Sequence, residues 1–468
     1  MQLSGAIVGG EQIAGAGKLD VLDPATGKLA GTVLAAGDAE AKAAVAAAKA
    51  AFAGWAARSQ AERAAAVARC ADILERNSEE LARLLTREQG KPLGGMGSRF
   101  ELGGTVAWTR YTAGLSLPSE VIQDDAQSHV AIYRKPLGVV VSITPWNWPV
   151  MIAIWHIMPA LQAGNTVVIK PSPLTPLSTL RVIALLQEAL PPGVLNAVAG
   201  PDSIGPVLTS HPDVAKVCFT GSTRTGVKVM SSAAPTVKRL TLELGGNDAG
   251  IVLPDCDPGA IAEGLFWGAL INNGQTCAAL KRLYVHDDIY EQVCQALKGF
   301  AAGVKTGNGF NEDSLLGPIQ NRMQFDKVSR LVEQAKSAGG RVLCGGQAGD
   351  GEGYFYPVTL IADAEKGMAL VDEEQFGPAL PIIRYSKLDD ALEQANGLDV
   401  GLGGSVWSSD IARARDIAMQ LECGTAWVNK HGGLRPDTPF GGVKASGFGV
   451  EFGPHGLDEF VSLHVIHD

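Results

Sequence analysis

Segments that read as strand and as helix alternate from about residue 139 to about residue 245, and this alternation restricts the possible folds more than any other feature of the chain. Val139-Val-Val-Ser-Ile reads as a strand, Val167-Val-Ile-Lys170 as a second, residues 178–189 as a helix and Val194-Leu-Asn-Ala-Val as a third strand. Residues 203–210 then read as a helix and Val214-Ala-Lys-Val-Cys-Phe219 as a strand, with Gly and Pro at the joints. Parallel neighbours need a crossover, so such a series predicts a parallel sheet covered by helices on both faces. A second alternating series runs from about 249 to 429, including a strand at Leu283-Tyr-Val-His and helices over about 288–305 and 322–338. Ahead of both, apolar periodicity and alanine content predict helices over about 38–57, 61–76 and 79–89. Val130-Ala-Ile-Tyr-Arg and residues 460–467 read as further strands.

The formal net charge of −10 and the lack of a basic block argue against a nucleic-acid partner. Seven scattered cysteines without a C-x-x-C pair, and no secretory leader, predict reduced thiols in a cytoplasmic protein. The stretch between Lys135 and Lys170 carries no Asp, Glu, Lys or Arg, but Pro145, Pro149 and Pro159 interrupt it, so a buried strand, loop and helix are expected and no membrane span. The histidines and cysteines lack metal-ligand spacing, and no metal is expected.

Four segments carry candidate chemistry. In Asn272-Asn-Gly-Gln-Thr-Cys277-Ala-Ala, a thiol is flanked by residues small enough to admit a substrate; for the other six cysteines a small buried hydrophobe is an adequate reading. In Leu240-Thr-Leu-Glu243-Leu-Gly-Gly, a carboxylate lies among apolar residues at a strand end, suited to a general base or equally to a structural cap. Thr144-Pro-Trp-Asn147-Trp-Pro149 puts an amide donor between tryptophans, able to hold an oxyanion or simply to form a turn. Phe219-Thr-Gly221-Ser222-Thr-Arg-Thr-Gly226 is a glycine-bearing strand-to-helix turn of the kind that meets phosphates, without the G-x-G-x-x-G pattern.

Together with Val167-Val-Ile-Lys170-Pro-Ser, Glu373-Glu374-Gln-Phe376-Gly377-Pro378, Trp427-Val-Asn429 and Pro439-Phe-Gly-Gly-Val-Lys444-Ala-Ser-Gly, these segments resemble the aldehyde dehydrogenase superfamily in order and spacing, over essentially the whole chain. The resemblance implies an α/β fold of two doubly wound open-sheet domains plus a small β arm for oligomerisation. The cofactor domain would span 1–115 and 137–246, the catalytic domain 247–445, and the arm 116–136 and 446–468, giving a dimer or tetramer. It implies Cys277 as nucleophile, Asn147 as oxyanion donor, Glu243 as base toward water, and Glu451 as a second carboxylate in proton transfer. Thr144, Pro145, Trp146, Lys170, Ser172, Gly221, Ser222, Gln324, Glu374 and Phe376 would face the dinucleotide. Trp148, Trp155, His431 and Leu434 would line the pocket for a small-molecule aldehyde.

The sequence departs from the family at Pro173, where many NAD-preferring members carry a Glu; NAD is expected, with NADP the alternative. Arg435, in the loop lined by His431 and Leu434, reads as an exposed ion pair or as a contact for an acidic substrate. Two rival functions are a thiol hydrolase without a redox step, to which Gly221-Ser222 would be useless, and a silent binding protein, which would have no need of both Cys277 and Glu243.

Overall fold

The computed structural model describes residues 1–349 and 351–468. Its larger sheet has eight strands, ordered Gly447–Phe448, Arg239–Glu243, Val214–Thr220, Val139–Ile143, Thr166–Lys170, Leu195–Val198, Ala6–Val8 and Glu11–Ile13. The five from Arg239–Glu243 to Leu195–Val198 are mutually parallel. They are runs of Val, Ile and Leu because helices cover both faces; Val139, Val140 and Val141 have no exposed surface. From Val139–Ile143 the chain adds its next two strands on one side, then crosses to add Val214–Thr220 on the other. That reversal opens a crevice beyond the carboxyl ends of these two central strands, where open α/β sheets hold ligands.

The second sheet has seven strands, ordered Arg341–Cys344, Thr359–Ala364, Ala379–Tyr385, Leu280–His286, Asp248–Val252, Gly403–Trp407 and Thr425–Val428, all parallel except the first. The chain leaves the first sheet at Glu243 and enters the second at Asp248, five residues later. The carboxyl end of one sheet is therefore tied to the amino end of the other, and Cys277 lies just before Leu280–His286 at that amino end.

A third, antiparallel sheet joins Val461–His467, His129–Pro136 and Glu120–Asp124, with Val461 opposite Pro136 and His467 opposite Val130. Its exposed faces carry Val121, Ile122, Leu463, Val465 and Ile466. Gly447–Phe448, within the segment expected to belong to this arm, instead pairs with Arg239–Glu243 in the first sheet.

The expected helices form at Asp38–Ala56, Gln60–Arg76, Ser78–Gln89, Tyr290–Ala302 and Arg322–Ser337. Asn321 caps the last by accepting from the Gln324 N–H, while Ser59 and Glu62 form a reciprocal capping box on the second. The apolar stretch after Val139–Ile143 becomes the helix Pro149–Gln162, every residue of which is buried. Among the described residues no helix is long and apolar enough to cross a membrane.

Candidate active site

Three consecutive left-handed residues, Asn272, Asn273 and Gly274, turn the chain before Cys277. Asn tolerates this conformation and Gly is needed at the third position: a Cβ on Gly274 would lie 2.2 Å from the Gly377 carbonyl oxygen. Lys281 fixes the same turn from below by donating to the Gly274 carbonyl at 2.8 Å. Asn147 and Trp148 follow the strand Val139–Ile143 and reach across to this loop. The Asn147 Nδ2 donates to the Gln275 carbonyl at 2.9 Å, and the Trp148 Nε1 donates to the Thr276 Oγ1 at 3.0 Å. The oxyanion candidate is thus held two residues from the nucleophile candidate.

Cys277 is partly exposed and shares an apolar cluster with Trp148, Trp155 and Leu434. Its thiol is pushed up to about 12, first by burial of the sulfur's surroundings and then by the charges of Glu374, Glu243 and Asp248. A shift in that direction disfavours the thiolate, the form that attacks a carbonyl.

Glu243, at the end of its strand, is 4% exposed and neither carboxylate oxygen has a hydrogen-bond partner among the described residues. Burial raises its pKa well above the ordinary value, and Glu451 and Glu459 raise it further. A buried carboxylate left unpaired is costly, which makes Glu243 a candidate functional group. Glu451 is buried nearby, its Oε1 2.8 Å from the His156 Nε2; His156 is in turn 2.8 Å from the Ser142 Oγ through Nδ1. His156 is the hydrogen-bonded core residue its helical setting suggests.

The crevice at the strand reversal gathers the dinucleotide candidates. Thr144 presents a buried hydroxyl without a partner, and Trp146 packs edge-on against Phe376 with ring centroids 5.4 Å apart. Pro145 and Trp146 follow directly on the central strand. Lys170 ends the next strand with its ammonium 3.4 Å from the exposed Asp202 carboxylate; burial lowers its pKa. Ser172 is buried two residues on. Gly221 has its flank against the Phe219 ring, where a Cβ would lie 2.6 Å from Cζ. Ser222 caps the helix Thr223–Ala233, whose first turn carries no acidic residue. An unpartnered hydroxyl, a buried lysine and a helix start without acidic residues beside a glycine form a set that suits a dinucleotide's ribose and phosphates.

On the facing side, Glu374 accepts from the Gly246 N–H at 3.3 Å, and burial raises its pKa. Gln324 turns its amide onto the carbonyls of Gln375 and Phe376, at 2.6 and 3.1 Å, so it holds the Phe376 loop rather than offering its amide outward. Phe376 itself is left-handed, with φ of 50°, unusual for a bulky residue and maintained by these bonds.

Of the four pocket candidates, Trp148, Trp155 and Leu434 fall in the cluster around Cys277. The fourth, His431, is corrected by the structure. Its side chain is fully buried, bonded to the Ser405 Oγ at 2.9 Å and facing the Asp248 carboxylate at 3.5 Å, so it has no surface to offer a substrate. Sequence reading missed Trp108 and Phe452, which complete an aromatic wall: Phe452 lies 4.7 Å from Trp155 and 5.6 Å from Trp108 by ring centroids. Phe452 adjoins Glu451, and that proximity was the only available signal. Arg435 forms an exposed ion pair with Asp437.

The aldehyde dehydrogenase family's sequence profile matches residues 12–466. Phenylacetaldehyde dehydrogenase of Pseudomonas fluorescens is 40% identical, over 84% of this chain and 81% of the relative. The chloroplastic betaine aldehyde dehydrogenase of Beta vulgaris is 37% identical over 95% and 92%. The crystal structure of betaine aldehyde dehydrogenase from Staphylococcus aureus in complex with NAD+ superposes with a TM-score of 0.95 at 33% identity, covering 99% of this chain and 94% of that one. The chain belongs to the aldehyde dehydrogenase family. It has that family's fold and is an enzyme of that class.

Proposed function

We propose that this enzyme oxidises an aldehyde to a carboxylic acid through a thioester on Cys277, with NAD as the preferred oxidant. The observation that carries the reading is Glu243: a buried carboxylate with both oxygens unpartnered, close enough to Cys277 for their charges to interact.

The Cys277 sulfur adds to the aldehyde carbon as its proton passes to solvent, and the carbonyl oxygen becomes an oxyanion. The Asn147 amide, already directed at the Cys277 loop, donates to that oxygen in exchange for its bond to Gln275. A bound nicotinamide dinucleotide supplies the acceptor for the aldehydic hydrogen and its electron pair. Cys277 then holds the acyl group as a thioester. Glu243 takes a proton from a water that attacks the thioester carbon; the carbon–sulfur bond breaks, the acid departs and the thiol recovers its proton. The raised pKa of Glu243 makes it a stronger base than an ordinary carboxylate. Glu451, a buried carboxylate whose charge acts on Glu243, offers the next station for that proton.

The residues of the crevice would hold the dinucleotide between Lys170, Ser172, Gly221 and Ser222 on one side and Glu374 and Phe376 on the other. Asp202 beside Lys170 supplies a carboxylate that Pro173 does not, which disfavours an added 2′-phosphate and supports NAD over NADP. The exposed apolar residues of the arm fit self-association as a dimer or tetramer, and the unpaired cysteines fit a cytoplasmic setting.

The test is a panel of aliphatic, aromatic and acidic aldehydes, each with NAD and with NADP, reading reduced dinucleotide and acid together. Equal yields of the two, with higher kcat/KM for NAD, are expected. Ester hydrolysis without any oxidation would sink the reading.

A further inference from the structure

Lys91 and Glu101 form an ion pair 2.6 Å apart whose side chains have no exposed surface at all. Desolvating two charges is expensive, and apolar residues of similar size often do as well for stability, so such a pair needs a reason beyond holding a core together. Its other contacts supply one. The Lys91 Nζ also donates to the backbone carbonyl of Asn147 at 2.8 Å and lies 3.6 Å from the centroid of the Trp148 ring. The second oxygen of Glu101 accepts from the N–H groups of Val150 and Met151, at 3.0 and 3.1 Å, in the first turn of Pro149–Gln162. A carboxylate there also meets the positive end of the helix dipole. The turn from Asn147 to Met151 is therefore gripped along its backbone by one cation and one anion. Asn272, in the nucleophile loop, donates to the same Asn147 carbonyl at 2.9 Å.

Local sequence explains how Lys91 comes to point inward. Gly90 ends the preceding helix in a left-handed conformation, with φ of 94°, and a Cβ there would strike Pro24 and Pro318 at 2.7 Å. The chain turns sharply after it, and the Lys91 N–H is tied to the Gln89 Oε1 at 2.9 Å.

We propose that Lys91, braced by Glu101, is a positioning residue for the oxyanion donor: it fixes the Asn147 backbone so that the side-chain amide stays directed at the Cys277 loop. This rests on the reading of Asn147 given above. Donors to an oxyanion act only within a narrow distance, and a displacement of about 1 Å can cost roughly 10²-fold in rate.

The test is a double-mutant cycle on the pre-steady-state burst of reduced dinucleotide, with thermal unfolding and dinucleotide binding followed by intrinsic fluorescence. Lys91→Met is expected to slow the burst about 10- to 100-fold while leaving dinucleotide affinity within about twofold. Lys91→Met combined with Glu101→Gln removes both charges yet keeps an oxygen for the Val150 and Met151 N–H groups; it should regain thermal stability and stay slow. If its burst returns to the wild-type rate, the pair is only structural and the proposal is overturned. In an Asn147→Ala background, Lys91→Met should slow the burst by less than about twofold more, because the group it positions is gone. Multiplying losses would overturn the proposal and leave the role of Asn147 standing. A full burst in Asn147→Ala alone would instead refute the reading of Asn147.

Discussion

Two groups of buried carboxylates treat their charge in opposite ways. Glu88 and Glu101 are saturated: Glu88 accepts from the N–H groups of Leu177 and Ser178 and from the Ser178 hydroxyl, and Glu101 accepts from Lys91 and two helix N–H groups. Glu243, equally buried, accepts from nothing among the described residues. The first pair start two helices, Pro176–Leu186 and Pro149–Gln162, whereas Glu243 keeps both oxygens free among the described residues. On the proposed mechanism the difference separates scaffold from chemistry: Glu88 and Glu101 organise backbone, and Glu243 is kept for the attacking water.

The largest blow to this contrast is removal of the group that Glu243 serves. Cys277→Ala should lower kcat for aldehyde oxidation by more than about 10⁴-fold with dinucleotide binding retained, checked by steady-state assay and fluorescence titration. Glu243→Gln should preserve the burst but slow turnover by about 10²- to 10⁴-fold, as deacylation loses its base. The same variant should melt higher than the parent at pH 8. The folded pKa of Glu243 is raised, so its contribution to stability is full below the ordinary value of 4.5 and is lost as pH rises toward the folded value, whereas Gln does not titrate.

Glu101→Leu should behave in the reverse sense, destabilising by about 3–5 kcal/mol in chemical denaturation because Lys91 is left bare. Glu88 tests the boundary between the two types. Burial lifts it to about 7 despite its hydrogen bonds, so its contribution is full below 4.5 and lost as pH rises through 7. The expected loss is about 3 kcal/mol between those limits, and Glu88→Gln should flatten that slope. The smallest effect is expected at Arg435, whose ion pair is exposed: Arg435→Ala should leave kcat/KM for acidic and neutral aldehydes within about twofold.

The five parallel strands of the first sheet and the loop motifs at their ends were legible in sequence because burial on both faces leaves an apolar signature and short turns punctuate it. The strands Gln2–Ser4, Leu19–Leu22 and Leu29–Leu34 were not, since each is short and partly exposed, so no continuous apolar run sets it apart. The helix Ser98–Ala113 escaped because Gly103 and Gly104 interrupt its propensity; packing overrides this, with Gly104 close against Met151. Lys91 and Glu101 escaped for a different reason. Charged residues are surface residues by default, and only a fold that brings them to Asn147 and Val150, 56 and 49 positions away, shows them to be interior. His431 was misread because its ring orientation depends on Ser405 and Asp248, distant in sequence.

The gap between Gly274 and the carbonyl of Gly377 is too narrow for a methyl group. Segments a hundred residues apart are consequently seated as one part, so that the reach of the nucleophile and the tilt of the Phe376 ring are set jointly. Any attempt to re-aim the sulfur toward a bulkier carbonyl compound has to redesign both loops at once, and a change confined to either should jam the other.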